Sequence, residues 1–266
     1  MAFSSFSFLR TEEAGKGLVI LTFSRGRSNP MNAQVVSELR QAFQEAATAE
    51  DCRAVVLAGQ ENFFSVGLDV IELYGYDEAE ITSFWQNFLA LLEDMLRFPK
   101  PLVAAITGHS PAGGCVLAIG CDYRVMAEGK FQIGLNEIPV GIMLPESIFE
   151  VYRFWIGSRK AYQYLMEGKL LTPEEAAEVG LVDALVPAEQ VIERAIAQAQ
   201  MYMRFEPSTW RKSKANLRRD LLQRMSSSEA HKAAQLAESL AHWWSPAARQ
   251  VLGGLVKHLS QKSPVG

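Results

Sequence analysis

Three short stretches carry residue types that could do chemistry together. The first is "FFSVGLD", which ends in Ser65, Val66, Gly67, Leu68 and Asp69. The second is "GHSPAGGCVLAIGCD", residues 108–122, which holds no Asp, Glu, Lys or Arg before Asp122 and sets Gly113 beside Gly114. The third is "FQIGLNEIPVGIMLP", where Glu137 follows Asn136 in an otherwise apolar run. Glycine inside a helix costs about 1 kcal/mol relative to alanine, so a pair at a helix start calls for a reason. The N–H groups of a first helical turn lack partners within the helix and lie at the positive end of its dipole. Bare backbone there lets an oxygen that is negative, or becoming so, approach them closely. Gly67 marks a second loop of this kind, and donors from two strand–helix junctions can converge on one oxygen. A carboxyl group in apolar surroundings is disfavoured as an anion, which raises its pKa and suits it to proton transfer near neutral pH.

Each stretch also has a plainer reading that the residues alone leave open. The glycine pair could serve the close approach of another backbone. The loop at residues 65–69 could be an ordinary turn, and Glu137 could point into water. A phosphate-binding loop is disfavoured, because no "GK[ST]" follows the glycines.

The elements that must position these residues follow from the hydrophobic pattern. Strands are predicted at residues 17–23, 53–59, 100–108, 122–128, 130–134 and 182–186. Helical spacing runs through residues 33–49, with Val36, Leu39 and Phe43 on one face, and again through 81–98. Ser110 is expected to cap the glycine-containing helix and Pro111 to open it, with Ala112, Gly113 and Gly114 in its first turn. The apolar stretch at 115–119 should then be buried all round. A helix from Pro173 is predicted with Thr172 as its cap and Gly180 at its end. From residue 188 to 259 the pattern is helical. Alternating strands and helices predict an α/β fold, with residues 1–205 as the core and 206–266 as a helical C-terminal region.

Composition narrows the function. The chain has 266 residues, a net charge of −4, 48% hydrophobic and 21% charged residues, which describes a globular domain rather than a nucleic-acid binder. Small basic patches at 211–214 and 218–219 do not alter that balance. No apolar run reaches the roughly 18 residues of a membrane span, and the N-terminus lacks the pattern of a secretory signal. Cys52, Cys115 and Cys121 show no pairing or metal-ligand spacing, so free thiols in a reducing compartment are expected, with no metal. His109 reads as a loop histidine. Trp243, Trp244 and the 251–259 stretch read as core or subunit contact.

Taken together and in this order, the three motifs resemble the crotonase (enoyl-CoA hydratase/isomerase) family. The downstream run "AYQYLMEGKLLTPEEAAEVGLVDALVP" resembles the same family, and the likeness weakens after about Met201. The resemblance implies a spiral of ββα units with a helical C-terminal trimerisation region, assembled as a homotrimer or a dimer of trimers. It implies an acyl-CoA thioester as substrate, with coenzyme A a part of that substrate rather than a cofactor. By motif position, the N–H groups of Leu68 and Gly113 would hold the thioester oxygen. Ser65, Val66, Gly67, Pro111, Ala112, Gly114 and Asn136 would shape or line that site. Family hydratases carry a glutamate directly after "GGC" and a second at the position of Glu137. Here Val116 follows "GGC". One carboxylate is missing, and the pattern resembles the mitochondrial-type 3,2-enoyl-CoA isomerases, with Glu137 as base and then acid. Residual hydratase or thioesterase activity with Glu146 as helper, or acyl-CoA binding without catalysis, are the alternatives. The expected location is the cytoplasm or an organelle matrix.

Overall fold

The computed structural model describes residues 3–225 and 228–262. Its strands divide between two sheets. The larger holds β1 (Leu9–Glu13), β2 (Leu18–Phe23), β3 (Ala54–Ala58), β5 (Leu102–Ile106), β7 (Tyr123–Ala127) and β9 (Ala184–Val186). These lie side by side in that order; β1 is antiparallel to β2 and every later pairing is parallel. The smaller holds β4 (Asn62–Phe63), β6 (Gly108–Pro111) and β8 (Ile133–Gly134), also parallel. Three successive turns, β3–β4, β5–β6 and β7–β8, each send one strand to the large sheet and the next to the small one before a helix, whereas β1 and β2 both join the large sheet. This repetition is the ββα spiral.

The helices fill the gaps between turns. They are α1 (Ala33–Thr48), α2 (Val70–Tyr74), α3 (Glu78–Arg97), α4 (Gly113–Gly120), α5 (Glu146–Ile156), α6 (Ser158–Glu167) and α7 (Pro173–Glu178). After β9 come α8 (Val191–Tyr202), α9 (Pro207–Leu217), α10 (Arg219–Met225), α11 (Glu229–Trp243) and α12 (Pro246–Lys262). Because side chains alternate along a strand, the large sheet buries both faces. Val55 and Leu57 join the main core under α1, α3 and α4, while Ala54, Val56 and Ala58 meet Val191, Ala195 and Ala199 of α8. Among the described residues, no helix is long and apolar enough to cross a membrane.

Several expectations meet the structure closely. Helix α4 is buried at every position, and α7 starts at Pro173 with Thr172 and Glu175 forming a reciprocal capping box. The three cysteines are free and buried. Others need correction. Helix α4 begins at Gly113, not at Pro111, and its cap is Ala112, whose side chain makes no capping bond. Ser110 and Pro111 belong to β6, paired with Ile133 and Gly134 of β8. The N–H groups of Ser110 and Ala112 donate to Gln132 O and Gly134 O, so an N–H at position 111 would face away from β8, past the end of β4. Proline therefore loses no ladder bond there. The strand expected at 130–134 is only Ile133–Gly134, and β1 was not foreseen.

Candidate active site

The small sheet assembles the site. Its three strands are parallel, so their C-terminal ends share one edge. The 64–69 loop follows β4, Ala112 and α4 follow β6, and Asn136–Glu137 follow β8. Three stretches far apart in sequence thus emerge side by side, at the strand ends where α/β sheets commonly bind ligands.

The first loop is held by a buried polar framework. Asn29 is fully buried in a left-handed conformation (φ 57°), and its Nδ2 donates to Phe23 O (3.0 Å) and Phe64 O (2.8 Å). Ser65 Oγ donates to Asn29 O (2.7 Å) and accepts from the Gly67 N–H (3.0 Å). Met31 then pairs with Leu68: its N–H donates to Gly67 O and its carbonyl accepts from the Asp69 N–H, both at 2.8 Å. In a parallel bridge of this register the bracketed residue turns its own N–H away from the partner. The Leu68 N–H accordingly points away from Met31.

The glycines explain how this loop meets α4. Gly67 has φ +94°, and a Cβ on it would stand 2.8 Å from Gly113 N. A Cβ on Gly113 would stand 3.2 Å from Gly67 Cα, and one on Gly114 would stand 2.4 Å from Ser65 O. Close backbone approach is therefore the reason for Gly114. The same approach sets the Leu68 and Gly113 backbones on the wall of one cavity.

Glu137 lies on that cavity. It is 6% exposed, and its Oε2 has no hydrogen-bond partner among the described residues. Burial pushes its pKa up to about 7, opposed by its own N–H and that of Asn136. Its carbonyl accepts from the N–H groups of Val140 (3.1 Å) and Ile142 (3.0 Å), a tight turn that Gly141 closes at φ 77°. The backbone beneath the carboxyl group is thus fixed.

The cavity measures about 560 Å³. Of the residues singled out in the sequence, Val66, Leu68, Pro111, Ala112, Gly113, Asn136 and Glu137 line it. Ser65, Gly67 and Gly114 stand behind the wall and shape it instead. Val116 also lines the cavity, so the position after "GGC" does face the site and presents an apolar group. Glu146 does not reach it. That residue is exposed, and its carboxylate is engaged by His231 (3.1 Å) and Gln235 of α11. The other carboxylate on the cavity wall, Asp69, is tied to Arg25 (2.6 Å) and caps α2 through the Glu72 N–H (3.1 Å). His109 is sandwiched by Phe63 and Phe131 at ring distances of 5.4 and 5.3 Å, and burial lowers its pKa.

Other residues line the cavity too. Arg27 and Ser28 stand at the rim, Trp85 and Phe88 of α3 form the floor, and Leu255 and Leu259 of α12 cover one side. The contribution of α12 depends on where the tail returns: Arg249 stacks on the Tyr74 ring at 3.5 Å and donates to Tyr74 O (3.0 Å), docking α12 on α2.

Residues 13–246 match the model of the enoyl-CoA hydratase/isomerase family. The chain is 36% identical over 195 residues to mouse mitochondrial enoyl-CoA delta isomerase 1, covering 73% of this chain and 68% of that protein. The human protein of that name is 32% identical over 225 residues, with 84% and 74% covered. The crystal structure of human mitochondrial delta3-delta2-enoyl-CoA isomerase superposes with a TM-score of 0.91 at 28% identity, over 97% of this chain and all of that one. An enoyl-CoA hydratase from Bacillus anthracis shares the fold, with a TM-score of 0.77 at 24% identity over 97% of this chain and 98% of its own. With the motifs, the spiral and the paired loops on one cavity, the chain belongs to the enoyl-CoA hydratase/isomerase family.

Proposed function

We propose that this protein moves the double bond of a 3-enoyl-CoA to give the 2-trans-enoyl-CoA. The observation that carries this reading is the pairing of Glu137 with Val116: on one cavity, a buried carboxyl group whose Oε2 has no partner among the described residues stands with a position after "GGC" that carries no acid. The ionised Glu137 takes a proton from C2 of the substrate. The electron pair moves into the thioester, and the oxygen that becomes negative receives the N–H groups of Leu68 and Gly113. One such donor is worth roughly 3–4 kcal/mol in the transition state. Protonated Glu137 then returns the proton at C4, and the double bond settles between C2 and C3. A pKa of about 7 leaves this group able both to take and to give a proton near neutral pH. No metal or redox group is needed for these steps.

Hydration would need a water held between two acids. Asp69 already serves Arg25 and the end of α2, and Glu146 points elsewhere. A binding-only role gives no reason for a buried carboxyl group whose Oε2 lacks a partner among the described residues. The deciding test compares turnover of a medium-chain 3-enoyl-CoA with hydration of crotonyl-CoA on one preparation. Fast isomerisation with negligible hydration is expected; the reverse result would overturn the reading. A homotrimer is proposed as the working assembly, supported by exposed apolar side chains at Phe154, Tyr162 and Met166. Light scattering checks it.

A further inference from the structure

Two cavities share one wall. Helix α3 turns Trp85 and Phe88 into the cavity that holds Glu137, and turns Gln86, Leu89 and Ala90 into a second cavity of about 380 Å³. The chain at 144–148 does the same: Leu144 and Ile148 face the first space, Pro145 and Ser147 the second. The second space is roofed by α11, whose Lys232 reaches Glu93 of α3 at 3.1 Å.

Exposure grades along the first cavity. Arg27 is exposed at its rim, whereas Trp85 is 5% exposed and Phe88 and Ile148 are 1% exposed. Trp85, Phe88, Leu144 and Ile148 give this cavity an apolar wall, which suits the hydrocarbon end of an acyl group. The indole of Trp85 is held there by edge-on contacts with Phe84 and Phe88, both at 5.9 Å. A large, braced ring makes a firm stop rather than an adaptable one.

We infer that Trp85 is the partition between the two cavities and sets the longest acyl chain the site accepts. This rests on the acyl-CoA reading above. Removing the indole joins the two spaces, so tolerance should extend by several carbons at once rather than by the volume of one side chain.

The test is calorimetric binding of butyryl-, octanoyl- and palmitoyl-CoA, which requires no turnover. The wild type is expected to bind octanoyl-CoA more tightly than palmitoyl-CoA. Trp85→Ala, with Trp85→Leu as the milder variant, should tighten palmitoyl-CoA by well over tenfold, since burying only about two more methylenes already supplies roughly that much. Butyryl-CoA should be unmoved. Adding Ala90→Trp, which fills the second cavity from the far side of α3, should cancel the gain. An unchanged length profile in both folded variants, or a gain that survives Ala90→Trp, would overturn the partition. Failure of every acyl-CoA to bind the wild type would overturn the substrate reading instead.

Discussion

Glu137 is held with its Oε2 buried and without a hydrogen-bond partner among the described residues, and the backbone N–H groups of Asn136 and Glu137 offset only part of the cost of burial. Its folded pKa of about 7 lies above the ordinary value of 4.5, so the folded state binds this proton more tightly than the unfolded chain does. The resulting stability is complete below about pH 4.5 and is lost as pH rises through about 7, a loss of order 3 kcal/mol. Glu137→Gln removes the charge while keeping the shape. Thermal melts should show this variant more stable than wild type at pH 8, with the difference gone at pH 4. The same substitution should lower isomerisation about 10²- to 10⁴-fold, the range for a general acid–base group, with acyl-CoA affinity retained. In the wild type, kcat/KM should rise with pH and level off above about 7, since the base must be ionised to act. A flat profile from pH 5 to 9 would count against Glu137 as the base.

At the scale of elements, the meeting of the 64–69 loop with α4 is the sensitive joint. A methyl group on Gly114 would collide with Ser65 O, and neither side can yield, because Ser65 is bonded to Asn29 and α4 is buried throughout. Gly114→Ala should destabilise by about 1–3 kcal/mol, as overpacking does. It should also reduce turnover beyond any loss of folded protein, because it parts the Leu68 and Gly113 backbones. Denaturant melts and kinetics on the soluble fraction separate the two effects. The glycine pair and the 65–69 loop were both visible in the sequence, but the packing of Gly114 on the Ser65 carbonyl was not, since the two lie on different turns of the chain. Ser110–Pro111 misled for a related reason. Their types suit a helix start, yet pairing with β8 keeps them extended and moves the start to Gly113. Strand β1 was hidden because it is an edge strand: Arg10, Glu12 and Glu13 are exposed, so it lacks a run of apolar residues.

Across the whole molecule, the tail is fastened to the spiral by buried charge. Asp122, just before β7, accepts from Lys214 of α9 (2.8 Å) and pairs with Arg218 (3.0 Å), all nearly fully buried. Arg218 also donates to Leu96 O (3.0 Å) and Cys121 O (3.1 Å). Removing one member leaves uncompensated charge, so Asp122→Ala should lose about 3–5 kcal/mol in denaturant unfolding. The sequence showed Lys214 and Arg218 only as parts of basic patches, because the carboxylate they meet is distant in the chain. What it did reveal was the alternation of strands and helices and the three site motifs, since those are local in pattern. The small sheet turns this locality into something further. Each of β4, β6 and β8 delivers one component of the site from its own coil of the chain, so a component can be exchanged without redrafting the others. Position 116 is such a slot: Val116 lines the cavity, while the 64–69 loop and Glu137 arrive on neighbouring coils. New reactions on this scaffold can therefore arise by single replacements, with the rest of the machine left running.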